Sequence, residues 1–309
     1  MRQPTALELV LAGDAEFVRL KTANAPAGDI QKRLDEIATE VCQKAGADEL
    51  TRHMWFVYEE TAPTYAKNPE HGNVPDALLA FMNHVPEYRG KYVPHVLDLG
   101  CGTGRDAVFM ALQDPEARKQ FMGRMKDGKS ALERFGLPQK SFHVEGIDAS
   151  RAMMSHAACL AEKYGFDQAG YGSRDHLLSS VRFAECIGMH HLRADRLRTF
   201  DGVWSSAALF MHTPKELIGL ALDGVRRVLY GGGVFGVSYA NNATNLPYDN
   251  LRYSRTGEIK YFSRPTPQMI VAAAALHGLD LFEEQYSDLE MAGEVKKDFF
   301  VTQFYRKHQ

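Results

Sequence analysis

Apolar residues recur at helical spacing through the front of the chain and give way near His95 to short, dense apolar runs separated by helical stretches. In the front part, residues 5–20 and 29–45 carry this spacing, for instance at Ile30, Leu34, Ile37 and Val41, and the loop from Ala23 to Gly28 divides them. A third helical segment runs from about Glu49 to Glu60 and holds Met54, Trp55, Phe56, Val57 and Tyr58. Pro75 and Asp76 open a fourth, through Ala77, Leu78, Phe81 and Met82. Beyond His95 the runs 95–99, 142–147, 181–186, 200–205, 233–239, 279–286 and 298–305 read as strands. Strands alternating with helices predict an α/β body built on a mostly parallel sheet. Thr213-Pro214-Lys215-Glu216 reads as a capping box, and Leu217, Leu220, Ala221, Val225 and Val228 follow as one apolar face. There is no internal repeat and no low-complexity tract.

Bulk properties narrow the function classes. With 309 residues, 45% hydrophobic and 24% charged, the chain has the profile of an ordinary globular protein with room for a sizeable core. A net charge of −3 offers nothing to draw it to phosphate backbones or anionic membranes. Cys42, Cys101, Cys159 and Cys186 form no CxxC pair, so neither a zinc site nor a disulfide framework is expected. Glu8, Asp14 and Glu16 interrupt the first residues, which therefore do not read as a signal peptide, and a cytoplasmic location is expected. No run approaches the roughly 18 apolar residues of a membrane span.

The most informative stretch is His95-Val-Leu-Asp-Leu-Gly-Cys-Gly-Thr-Gly104. An apolar strand ends there in a carboxylate, Asp98, and turns over Gly100, Gly102 and Gly104 into an amphipathic helix from Asp106 to Leu112. Such a turn brings backbone amides within reach of a ligand. A dinucleotide fingerprint wants its third glycine where this chain has Arg105. A carboxylate at the strand end suits a ligand carrying an ammonium and a sulfonium better than a pyrophosphate. In this form the segment resembles the first motif of the class I S-adenosylmethionine (SAM)-dependent methyltransferases. Arg227-Val228-Leu229 followed by Gly231-Gly232-Gly233 is similar to the same family's turn before strand five.

The resemblance, over about residues 92–309, implies a Rossmann-like seven-stranded, mostly parallel sheet whose last strand is antiparallel. It divides the chain into a helical N-terminal cap over 1–90 and a methyltransferase domain over 91–309. Asp148, in Gly146-Ile147-Asp148-Ala149-Ser150, ends the second strand, where an acidic side chain can accept both ribose hydroxyls. Asp-x-Ser followed by Met153-Met154 also resembles the family's second motif. Asp148 stands about twice as far beyond Gly104 as the family spacing, so residues 113–140 read as an insertion or a lengthened helix. Residues 165–180 read as a second enlargement; surface loops tolerate both. After the third strand, Gly188 stands where the family carries an acid for the adenine amino group; Met189 is the expected adenine neighbour and Glu185 a substitute acid. His190-His191 reads as a solvated or capping pair, since adjacent residues seldom chelate one metal ion.

After the fourth strand, Ser205-Ser206 leads into Leu209-Phe210-Met211-His212, similar to the small-molecule methyltransferases, whose floor under the methyl group ends in a histidine. The Asp/Asn-Pro-Pro-aromatic signature of nucleic-acid amino methyltransferases and the Pro-Cys nucleophile of cytosine C5 enzymes are absent. Tyr239-Ala240-Asn241-Asn242 stands where catechol-type enzymes carry magnesium-binding acids. The expected function is therefore metal-free, in-line transfer of a methyl group from SAM to an O or N atom of a small molecule, releasing S-adenosylhomocysteine (SAH). His212 is the candidate base, and Tyr58 and Tyr65 are candidates to fold over cofactor and acceptor. The resemblance assigns cofactor contacts to Asp98, Gly100, Cys101, Gly102, Gly104, Arg105, Asp148, Ala149, Met153, Met189 and Ser205. An RNA or protein methyltransferase and a catalytically silent SAM-binding scaffold are the rival readings. No nucleic-acid or membrane partner is expected, and a homodimer fits the sequence as well as a monomer.

Overall fold

The computed structural model describes residues 47–67, 74–87, 93–122, 140–166, 180–185, 199–242, 249–253, 259–291 and 294–309, with scattered positions between 15 and 36 and at 133, 136 and 192. The expected helices over 5–20 and 29–45 lie largely outside these residues.

The elements, in chain order, begin with α1 (Ala47–Lys67) and α2 (Val74–His84), followed by β1 (His95–Leu99), α3 (Arg105–Ala111), α4 (Pro115–Met122), β2 (His143–Asp148), α5 (Arg151–Lys163), β3 (Ser180–Glu185) and β4 (Phe200–Ser206). Then come α6 (Ile218–Val228), β5 (Leu229–Ala240), β6 (Asp249–Tyr253), β7 (Ile259–Ser263), α7 (Pro267–Leu276), β8 (Leu279–Met291) and β9 (Glu294–Lys307). The seven-stranded sheet has the order β3-β2-β1-β4-β5-β9-β8. Strands β1 to β5 are parallel, while β9 runs antiparallel to both β5 and β8. This is the expected Rossmann-like α/β architecture with an antiparallel final strand.

Burial explains why the central strands read as unbroken apolar runs: β4 is covered on both faces, from Phe200 to Ser205. One face packs Phe81, Phe109, Phe142 and Trp204 together. The other packs Leu97, Leu99, Val203, Phe235 and Tyr305 against α6 and α7. Helix α3 is buried along its length rather than amphipathic. The insertion supplies the reason: α4 is a separate helix whose Phe121 ring lies 5.6 Å from that of Phe109. Helix α2, grouped by sequence with the cap, belongs to the core. The Phe81 ring occupies space beside both Gly202 and Gly236, where an added Cβ would meet it at 2.8 Å.

Two local readings change. Thr213 does not cap a helix; its hydroxyl donates to the Leu209 carbonyl, and α6 follows a 3-10 turn with no side-chain cap. Leu220 is exposed, and the buried stripe of α6 is instead Ile218, Ala221, Leu222, Val225 and Val228.

The sequence reading contained no strand between Asn241 and Pro265, yet β6 and β7 pair there as an antiparallel hairpin. Backbone and side-chain bonds clamp β7 between α1 and the turn after β4. The Tyr261 amide donates to Met54 Sδ of α1 at 3.2 Å, and Ser263 Oγ donates to the Phe210 carbonyl at 2.9 Å.

Candidate active site

The site sits where β1, β2, β4 and β5 end, which is where an open parallel sheet binds ligands. Gly100, Gly102 and Gly104 all adopt left-handed backbone, with φ of 76°, 53° and 80°. Their roles differ. An added Cβ at Gly102 would meet nothing within 4 Å, so that turn faces open space. One at Gly104 would lie 2.7 Å from the Ala157 Cβ and 2.9 Å from the Phe183 ring, so Gly104 lets α5 pack closely.

Asp98 is only 2% exposed, and its Oδ2 has no hydrogen-bond partner among the described residues. Burial, then the nearby Asp106 carboxylate, hold its pKa well above the usual carboxylate range. Asp148 accepts the Gly102 amide at Oδ2 and the Ser150 amide at Oδ1, both at 2.9 Å. It therefore holds the glycine turn to the end of β2. It does not cap α5; the cap is Ser150, whose Oγ accepts from the Met153 amide. Burial raises the pKa of this carboxylate, which the Ala149 amide also stabilises.

Several expected contact residues have structural partners. Ser205 is wholly buried; its Oγ donates to the Leu99 carbonyl at 2.8 Å and accepts the Leu209 amide at 3.1 Å, bracing β4 to β1. Arg105 Nε donates to Asp106 Oδ1 at 2.8 Å, while Trp204 Nε1 donates to Asp106 Oδ2 at 2.9 Å. Burial pushes the Cys101 thiol well up, keeping it protonated. Met153 is buried on the inner face of α5, and Ala149 is half-buried beside Asp148. Met189 and the side chain of Glu185 lie outside the described residues.

The sequence offered Tyr58, Tyr65 and His212 separately, and the structure gathers them. Tyr58 Oη lies 2.8 Å from His212 Nε2, and His212 Nδ1 lies 3.0 Å from the Tyr261 carbonyl. A carbonyl only accepts, so Nδ1 carries the proton and Nε2 accepts the Tyr58 hydroxyl. Burial lowers the His212 pKa to about 4, leaving the imidazole neutral at physiological pH. Burial also raises Tyr58 well above 10. The Tyr58 and Tyr65 rings meet edge-on at 5.6 Å.

Lys260 of β7, missed by sequence reasoning, is 1% exposed, with its Nζ 4.4 Å from the Tyr58 ring centre and 4.7 Å from that of Tyr65. The aromatic pair Tyr261-Phe262 beside it was the available signal. Glu59 ties α1 to the N-terminus of α5: its Oε2 accepts from Ser150 Oγ at 2.8 Å and from the Ala152 amide at 3.1 Å. Among the described residues no group of three or more His, Cys, Asp or Glu side chains could hold a metal ion. Nor is any described helix long and apolar enough to cross a membrane.

The chain matches no protein-family model and no curated protein. In three dimensions it is similar to the CcbJ methyltransferase of Streptomyces caelestis, at a TM-score of 0.49 and 17% identity over 82% of this chain and 98% of the other. A SAM-dependent methyltransferase of Methanosarcina mazei gives a TM-score of 0.49 and 15% identity, over 73% of this chain and 95% of that one. The 1,6-didemethyltoxoflavin-N1-methyltransferase of Burkholderia thailandensis, solved with 1,6-didemethyltoxoflavin and SAH, gives 0.45 and 16%, over 75% and 77%. At these identities the likeness is one of fold.

Proposed function

We propose that this chain is a class I SAM-dependent methyltransferase that moves a methyl group to an O or N atom of a small molecule by in-line displacement. The observation that carries the reading is the buried, unpartnered Asp98 Oδ2 beside the open turn at Gly102. A buried carboxylate oxygen without a donor calls for a cationic or hydrogen-bonding partner, and the ammonium of the cofactor's methionine portion is one. Asp148 would receive a ribose hydroxyl on a lone pair that the Gly102, Ala149 and Ser150 amides leave open.

SAM supplies the activated methyl on its sulfonium when bound, and the protein's share is positioning and exclusion of water. Tyr58, Tyr65 and Lys260 form an aromatic and cationic roof that shuts water out of the site. His212, with its proton on Nδ1 and a low affinity for a second, works best as the group that orients the Tyr58 hydroxyl. Tyr58 then presents its oxygen to the acceptor. The cap would be α1 with the segments before it, since α2 is part of the core.

Titration calorimetry with SAM, SAH and NAD tests this reading: SAM and SAH should bind at micromolar affinity. Tighter binding of NAD than of SAM would sink it. Methyl release from labelled SAM over an acceptor panel then separates an enzyme from a silent SAM-binding subunit.

A further inference from the structure

Arg264 is the first residue after β7, at the position two beyond Phe262 and four beyond Lys260 along the chain. Its carbonyl accepts from Asn242 Nδ2 at 3.0 Å, which fixes it over the C-terminal end of β5. Lys260 lies against Tyr58 and Tyr65, and the Phe262 ring stands 5.3 Å from that of His212. Every other residue of a strand shares a face, so Lys260 and Phe262 present one side of β7 to these rings, and Arg264 follows directly where the strand ends.

The guanidinium is buried, at 7% exposure, and neither Nη1 nor Nη2 has a hydrogen-bond partner among the described residues. No acidic side chain among them pairs with it. An arginine cannot shed its proton to escape burial, and an unpaired buried charge is strongly unfavourable. The other buried cations are accommodated differently: Lys260 rests on two rings, and Arg118 donates to the Lys140 carbonyl.

We infer that Arg264 is the anchor for a carboxylate on the methyl acceptor, held by the two free nitrogens of the guanidinium. The inference rests on the methyltransferase reading, because it places the anion in the acceptor half of that cleft. A carboxylate matches the fork in geometry and charge. A phosphate monoester would bring nearly two charges and three strong acceptor oxygens to a single unpaired guanidinium.

The test uses the full chain, with Arg264→Met and Arg264→Lys as variants. Benzoate, benzamide and phenyl phosphate are the probes, titrated by ligand-observed NMR with and without SAH. Wild type should bind benzoate at least tenfold tighter than benzamide. Arg264→Met should erase that difference and Arg264→Lys should keep part of it. Without ligand, Arg264→Met should unfold roughly 2 °C or more above wild type, because a buried unpaired charge has been removed.

Equal benzoate binding by wild type and Arg264→Met, or no benzoate binding at all, overturns the inference. So does a lower unfolding midpoint for Arg264→Met, which would mean that the guanidinium is already paired in the protein. A preference for phenyl phosphate that depends on Arg264 overturns the choice of carboxylate. A loss of SAH affinity in Arg264→Met, with methylthioadenosine binding unchanged, would assign the guanidinium to the cofactor's own carboxylate and overturn it too. If wild type binds no SAH yet binds benzoate through Arg264, the proposed function fails while the anion site stands.

Discussion

Tyr58 and His212, 154 residues apart in the chain, share one hydrogen bond of 2.8 Å, from the Tyr58 hydroxyl to His212 Nε2. Because His212 Nδ1 is turned to the Tyr261 carbonyl, this bond joins three separate segments: helix α1, the turn after β4, and strand β7. None of the three is part of the main sheet's parallel core, so the roof of the site is an assembly of additions to it.

The histidine's titration should be visible in stability. Its folded pKa is lowered from 6.5 to about 4, chiefly by burial, so the unfolded chain holds the proton more tightly. The contribution is complete above about pH 6.5 and drains away as pH falls towards 4; a shift of that size corresponds to about 3 kcal/mol. Chemical denaturation at pH 7 and pH 4 should therefore show wild type losing about 3 kcal/mol more than His212→Asn. Parallel losses would mean that His212 is solvated.

Tyr58→Phe removes only a hydroxyl, yet it leaves His212 Nε2 buried without a donor. That should lower unfolding free energy by about 1–3 kcal/mol at pH 7. It should also remove a bond that favours the neutral imidazole, so that the His212 NMR titration shifts upward. A variant as stable as wild type would show that the bond is not formed in solution.

How much of this was legible in the sequence depends on which residues carry their own signal. Strand β1 was read to the residue, because Val96 to Leu99 is an apolar run closed by Gly100. The left-handed glycines were legible because backbone geometry restricts what can stand there, and Asp98 and Asp148 because a carboxylate closing an apolar strand stands out. Helix α1 was read only to Glu60, since Pro63 argues for a stop; the helix continues to Lys67, with Thr61 and Ala62 buried. Tertiary packing overrides propensity in such a case. The β6–β7 hairpin was missed because β7 is buried around Lys260, and a cation inside a buried strand breaks the apolar run that marks one. Gly104 and Ser205 were singled out for ligand contact, and the structure adds a packing role against Ala157 for the first and a brace on Leu99 for the second.

Asp98→Asn should separate stability from function. The carboxyl's folded pKa is raised, so its ionised form destabilises the ligand-free protein as pH rises through that value. The ligand-free variant should melt above wild type at pH 8, with SAH no longer raising its melting temperature. A variant that still gains stability from SAH would show that Asp98 is not the ammonium's partner.

Gly102 and Gly104 should fail in different ways. Gly102→Ala meets open space and bears the strain of a left-handed residue, about 1 kcal/mol. Its far-UV spectrum should be unchanged while SAH binding is lost, because the methyl group would project into the cofactor's space. Gly104→Ala drives a methyl into Ala157 and Phe183 and should lower the melting temperature by several degrees before any ligand is added. Equal SAH affinity for Gly102→Ala and wild type would put the cofactor elsewhere.

Glu59 gives the cap a specific point of attachment. Its carboxylate sits at the N-terminus of α5, on Ser150 Oγ and the Ala152 amide, two residues from the carboxylate proposed to hold the ribose. Negative charge is favoured at that helix end, and a ligand on Asp148 would be covered by the same stretch of α1. Hydrogen exchange over residues 50–67 should slow when SAH is added, and by more than over the β8–β9 hairpin at 288–297. Glu59→Ala should speed exchange over 50–67 in the ligand-free protein and reduce the protection that SAH confers there. If SAH protects 98–105 but leaves 50–67 unchanged, α1 is a fixed wall rather than a lid, and Tyr58 and Tyr65 hold the fold without closing over a ligand.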